Sequence, residues 1–228
     1  MNILTTILFR EHSKRLHRKN FRVLNGRPLV EWSVRQACHA ALGDIVCSSD
    51  SAKELSILRD RYPVHLILRP SSLAGDDTPK MSSLAYTLLM MERKQQCTYD
   101  LVLDLDVTNP LRHMEDIFGI VDAYKKDNRD CYMSVVSSRR SPYFNQLIPS
   151  DVGYSLLPTK TYFRAQDTPK GYDLNCNLYL YERSFLLRCK GVFEGSYGLY
   201  EMAKDTFCDI DDEIDFKLVG ALCGRYLK

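Results

Sequence analysis

None of the eight cysteines stands in a CxxC pair, and the formal charge of this 228-residue chain is only +2. No apolar run is long enough to cross a bilayer. Each absence removes a class of protein. Cys38, Cys47, Cys97, Cys131, Cys176, Cys189, Cys208 and Cys223 are scattered, several within apolar runs, which excludes a disulfide frame or zinc ribbon and fits buried thiols in a reducing, cytoplasmic setting. The near balance of charge argues against nucleic acid or membrane as main partner, so any anion must be bound locally. The apolar first nine residues are too short for a span and carry neither basic leader nor small-residue cleavage site, so they read as a buried strand. There are no internal repeats and no low-complexity tract.

What is present is an ordinary globular balance, 45% hydrophobic and 26% charged, at a length suited to a single domain over 1–228. Short β-branched or apolar runs at 5–9, 44–48, 64–68, 101–105 and 131–136 alternate with helical spacing at 29–41, 52–62, 81–94 and 114–128. Pro28 suits a first helical turn, and Asp50 is the expected cap of the second helix. Alternation of this kind predicts an α/β fold, a mostly parallel, doubly wound (Rossmann-like) sheet, with function at the carboxyl ends of its strands. From 137 to 172 the pattern breaks, with prolines at 142, 149, 158 and 169 and no amphipathic helix. This segment reads as a protruding arm. Regularity resumes with a strand at 177–181, a short helix at 184–188, a strand ending at Asp209-Ile210-Asp211 and a last helix from Asp212.

Chemistry concentrates in four places. The loop Arg10-Glu11-His12-Ser13-Lys14-Arg15-Leu16-His17-Arg18-Lys19-Asn20 follows the first strand and carries five cations, which suits a polyphosphate through arginine forks and mobile lysines. A solvated basic run or nucleic-acid patch is its bland alternative. Asp209 and Asp211, two apart on an expected strand, can offer two carboxylates to one hard cation, while Asp212 caps the following helix. Asp104 and Asp106 likewise share a face and by themselves resemble the metal motif of a glycosyltransferase. The loop Arg69-Pro70-Ser71-Ser72-Leu73-Ala74-Gly75-Asp76 can hold a base or ribose, or be a plain turn.

Together these segments resemble the acylneuraminate cytidylyltransferases. The resemblance runs nearly end to end, through Arg10-x-x-Ser13-Lys14 with Lys19-Asn20, Gly26-x-Pro28-Leu29, Arg69-Pro70-x-x-Leu73-Ala74-x-Asp76, Thr108-x-Pro110-Leu111-Arg112, Gln166-Asp167 and Asp209-x-Asp211. The segments Leu103-Asp104-Leu105-Asp106-Val107-Thr108 and Ser141-Pro142-Tyr143-Phe144-Asn145 look most like the bacterial branch that makes CMP-sialic or CMP-legionaminic acid. The resemblance implies transfer of CMP from CTP to a nonulosonic acid. It implies catalytic roles for Arg10, Lys19, Asp209 and Asp211, and triphosphate contacts from Arg10, Ser13, Lys14 and Lys19. Asn20, Arg69 and Asp76 would lie nearer the nucleoside, Asp209 and Asp211 would bind Mg2+, and Asp106, Thr108, Arg164 and Gln166 would meet the sugar. It further implies a homodimer in which the arm exchanges and lends Arg164 and Gln166 to the partner's site. Glu11-His12 and Arg15 stand where the family often has glycines, Asp106 where it has glutamine, and Arg164 where many members have two arginines. The rivals are a glycosyltransferase built on Asp104 and Asp106 and a non-catalytic nucleic-acid binder built on the Lys14–Lys19 segment.

Overall fold

The computed structural model describes residues 1–11, 13, 15–151, 153–156 and 162–226. The expectation placed on Lys14 lies outside the described residues. In chain order the elements are β1 (Ile3–Leu8), β2 (Val23–Leu24), β3 (Arg27–Pro28), α1 (Leu29–Ala40), β4 (Gly43–Ser49), α2 (Ala52–Arg59), β5 (His65–Leu68), α3 (Lys80–Gln95), β6 (Leu101–Leu105), α4 (Met114–Lys126) and β7 (Cys131–Ser137). There follow β8 (Ile148–Ser150), β9 (Gly153–Ser155), β10 (Tyr172–Glu182), α5 (Arg183–Arg188), β11 (Tyr197–Glu201) and α6 (Glu213–Leu222).

Seven strands form one sheet in the order β11-β7-β10-β6-β1-β4-β5. Every pairing is parallel except the two made by β10, which runs antiparallel between β6 and β7. The expected mostly parallel sheet is therefore present. Its two faces are both buried, which is why the strands read as continuous apolar runs. Period-2 alternation sends Ile3, Ile7, Leu101, Leu103, Leu178 and Leu180 into a core shared with α1, α2 and α4, and sends Leu4, Val102 and Tyr181 into a second core under α3 and α5. Asp104 is two residues beyond Val102 and so faces the second core, fully buried.

Two expectations are corrected. The second helix is capped by Ser51, whose hydroxyl accepts from the Glu54 N–H, while the Asp50 carboxylate turns to the first loop and accepts from the Glu11 N–H at 2.9 Å. The last sheet strand is β11, and Asp209-Ile210-Asp211 is extended loop. That loop has no ladder partner, being held by the Ile210 N–H donating to the Thr108 carbonyl at 2.8 Å. Asp212 does cap α6, accepting from the Ile214 and Asp215 N–H groups. The segment 137–172 carries no α-helix among its described residues and contains the β8–β9 hairpin and a turn at Ala165–Asp167.

Candidate active site

β1 has β4 on one side and β6 on the other. Successive crossovers leave β1 in opposite directions, which opens a crevice at the carboxyl ends of β1 and β6. A cavity of about 350 Å³ lies there, lined by Arg10, Ser13, Lys19, Asn20, Arg69, Asp76, Asp106 and Thr108 among others. Most of the residues expected at the site thus converge on one space. A second cavity of about 340 Å³ shares Arg10, Ser13, Lys19 and Asp76 and adds Arg15 and Asp211.

The basic loop is folded onto acids. Arg10 pairs with Asp76 at 2.6 Å, and Arg15 with Asp211 at 2.6 Å. Arg18 takes a left-handed backbone conformation (φ 49°) into the Lys19–Phe21 turn. That turn buries most of the Lys19 side chain, whose ammonium donates to the Ile210 carbonyl at 2.5 Å and lies 3.6 Å from Asp211. The Asn20 amide ties the loop to itself by donating to the Arg10 carbonyl at 2.9 Å.

Arg69 differs from the rest of the nucleotide set. It lines the cavity, yet it is only 6% exposed and donates to the Ser48 carbonyl at 3.1 Å and the Phe9 carbonyl at 2.9 Å. Burial lowers its pKa from the usual arginine value. These bonds pin the ends of β1, β4 and β5 together beneath the crevice.

On the β6 side, Asp106 accepts from both the N–H (2.9 Å) and the hydroxyl (2.8 Å) of Thr108. Burial pushes its carboxyl up, but the Lys80 ammonium and the Thr108 bonds outweigh this and hold it down to about 2. Arg112, 1% exposed, donates to the Asn177 amide oxygen at 2.6 Å and the Asp106 carbonyl at 2.5 Å. It fastens the post-β6 loop to β10 and makes no part of the cavity wall. Sequence reasoning missed Lys80, which lines the cavity and reaches both Asp104 and Asp106. The missed signal was a lysine at the first position of a helix, where the dipole disfavours a cation.

Asp209 and Asp211 arrive on the loop tethered to Thr108. Asp211 lines the second cavity and Asp209 lines neither. Burial raises the Asp209 pKa, and the Asp211 charge raises it further. No ion pair reaches Asp209 among the described residues. Such a half-buried, like-charged pair of oxygen donors suits a hard cation, although no cluster of three or more metal-ligating side chains occurs among the described residues.

Arg164 and Gln166 do not join this site within the chain. Arg164 pairs with Asp167 at 2.8 Å, and Gln166 lines a separate cavity with Arg139 and Arg140.

A model of the cytidylyltransferases matches residues 5–223. The chain belongs to the cytidylyltransferase family. Its members transfer nucleotides. The chain is 32% identical to post-translational flagellin modification protein B of Campylobacter coli and 30% identical to CMP-N,N'-diacetyllegionaminic acid synthase of Campylobacter jejuni, each alignment covering 95% of this chain and 93% of the relative. The structure of CMP:2-keto-3-deoxy-manno-octonic acid synthetase complexed with CTP superposes with a TM-score of 0.73 at 14% identity over 99% of both chains, which shows the shared fold.

Proposed function

We propose that this cytidylyltransferase transfers CMP from CTP to a nonulosonic acid of the sialic or legionaminic type, releasing pyrophosphate. The observation that carries the reading is one cavity at the β1–β6 crevice that holds the cationic loop on one wall and the Asp106–Thr108 turn on the other. A relative named for a CMP-nonulosonate supports the sugar class. The sugar's anomeric hydroxyl attacks the α-phosphorus as the bond to pyrophosphate breaks in line, and catalysis comes from positioning and charge neutralisation. Arg10 and Lys19 supply positive charge where pyrophosphate departs, with Ser13 donating to phosphate oxygen. Arg10 is released from Asp76 by a stronger anion in this step. Asn20 and Asp76 lie at the nucleoside end, while Arg69 holds the strand ends that shape it.

Mg2+ fits the Asp209–Asp211 pair, which would hold it and let it neutralise phosphate charge. Arg15, standing where the family often has glycine, already neutralises part of Asp211 and would have to yield. The arm's Arg164 and Gln166 are proposed to serve the sugar site of the partner in a homodimer, since neither reaches its own chain's cavity. A cytoplasmic setting is proposed with it, supported by the eight free thiols.

The two rivals are disfavoured on specific grounds. A glycosyltransferase would need Asp104 and Asp106 free for metal, and both hold Lys80. A nucleic-acid binder would turn its cations to solvent, whereas Arg10 and Lys19 line a cavity and Arg10 and Arg15 are paired with acids. Pyrophosphate release measured across a panel of nonulosonic acids and the four nucleoside triphosphates tests the reading. Release with CTP and one of the acids is expected; release with none, or with another triphosphate alone, overturns it.

A further inference from the structure

Lys80 opens α3 at the helix's first position, and no acidic residue accompanies it in the first turn. A cation there opposes the helix dipole, so the helix gains nothing from it. Its partners lie across the crevice instead. The ammonium sits 2.7 Å from Asp104, whose side chain is 0% exposed, and 2.6 Å from Asp106, 18% exposed. The Tyr179 ring lies 5.5 Å beneath it. Burial pulls the Lys80 pKa down, yet the charges of Asp104 and Asp106 outweigh this and hold it well above the usual lysine value, so the group stays charged. The Thr6 hydroxyl donates to the other Asp104 oxygen at 2.8 Å, and Arg112 adds a further buried positive charge beside both carboxylates.

We propose that Lys80 is the resident cation of the Asp104–Asp106 pair, a positioning residue that occupies the place a divalent ion would otherwise take. Two carboxylates 2.6–2.7 Å from one ammonium have the oxygen-donor chemistry of a cation site. The charges of Lys80 and Arg112 already balance those of Asp104 and Asp106, so no net negative charge is left to attract a metal. The contrast with Asp209 is direct, since no ion pair among the described residues neutralises that carboxylate. The consequence is that divalent binding involves the loop after β11 and leaves the end of β6 metal-free. Lys80 keeps Asp106 aimed at Thr108, and thereby shapes the cavity wall, without contact to the reacting atoms.

Mn2+ bound by the nucleotide-free protein, counted by EPR, tests this apart from the identity of sugar or base. Asp106→Asn is expected to leave the Mn2+ count and affinity of the wild-type protein unchanged. Lys80→Met is expected to add one Mn2+ per chain, and the Lys80→Met/Asp106→Asn double variant to lose it. Lys80→Arg, which keeps the charge, should add none and should recover the melting temperature that Lys80→Met lowers. Loss of a Mn2+ ion from the wild type on Asp106→Asn would overturn the proposal, as would a folded Lys80→Met that gains none. Should Lys80→Met not fold, the wild-type comparison with Asp106→Asn and the ion count of Lys80→Arg decide it, an ion gained by the latter counting against it. A protein that releases no pyrophosphate yet behaves this way with Mn2+ would refute the sugar reading and leave the Lys80 assignment standing.

Discussion

Lys19 meets the site through two oxygens, the Ile210 carbonyl and the Asp211 carboxylate, so it joins the basic loop to the acidic one. On the proposed reading, replacing it with alanine removes a charge-assisted phosphate contact of roughly 1.5–3 kcal/mol, and kcat/KM for CTP should fall by about 10- to 150-fold in steady-state kinetics. Asp211→Asn keeps the size and removes the charge. Turnover should fall by about a hundredfold or more, with a changed response to Mg2+ concentration. Melting should move little, because the pair it loses with Arg15 is largely solvent-exposed, at 71% and 47% for the two side chains, and Lys19, 3.6 Å away, keeps its bond to the Ile210 carbonyl. A variant with unchanged rate and Mg2+ dependence would remove the metal assignment. Arg69 lines the cavity and also acts as a strut through its buried bonds. Arg69→Ala strands the Phe9 carbonyl, leaves the Ser48 carbonyl only the Phe9 N–H, and should cost about 2–3 kcal/mol, seen as a melting temperature lower by roughly 5–10 °C.

At the scale of elements, hydrophobic spacing located the sheet well. The expected strand at 101–105 matches β6, and the four early helices fall within three residues of their observed ends. α2 stops early, at Arg59, and is capped by Ser51 because Asp50 serves the first loop. That same helix carries an unusual group. Glu54 is 2% exposed, and burial, reinforced by the charges of Glu11 and Asp50, pushes its carboxyl up to about 7 from 4.5. A raised acid stabilises the fold fully below its unfolded value and loses that contribution as pH rises through the folded value. Wild-type stability should therefore decline between about 4.5 and 7 relative to Glu54→Gln. The variant should match the wild type near pH 4.5 and exceed it at pH 8 by on the order of 1–2 kcal/mol in paired denaturant titrations. Parallel pH curves would show that Glu54 ionises normally.

At the scale of the molecule, the arm presents more apolar surface than an isolated chain would favour. Phe163 is 89% exposed, Tyr154 74% and Leu147 66%, all within the segment that departs from the helical and strand periods. A segment of this length whose described residues form only a short hairpin and a turn needs a surface to lie on. Light scattering at working concentration should give a dimer, and an Arg164→Ala chain mixed with an Asp211→Asn chain should regain part of the activity each lacks alone. A fully active monomer would remove the shared-site proposal.

The sequence by itself determined the α/β alternation, the mostly parallel sheet and the grouping of Arg10, Ser13, Lys19, Asn20, Asp76, Asp106 and Thr108, because strand periodicity is local and crevice residues in such sheets follow strand ends. It also carried the cytidylyltransferase resemblance, which lies in short ordered motifs. Only the tertiary structure decided which charges meet. Arg15 with Asp211, Lys80 with Asp104 and Asp106, and Arg69 with the ends of β1 and β4 join residues 21 to 196 positions apart. The β11 edge and the loop status of Asp209–Asp211 were decided in the same way, since strand identity there depends on which neighbour supplies hydrogen bonds. Local pattern records what a segment can bury, and long-range packing selects the partner that its polar groups find.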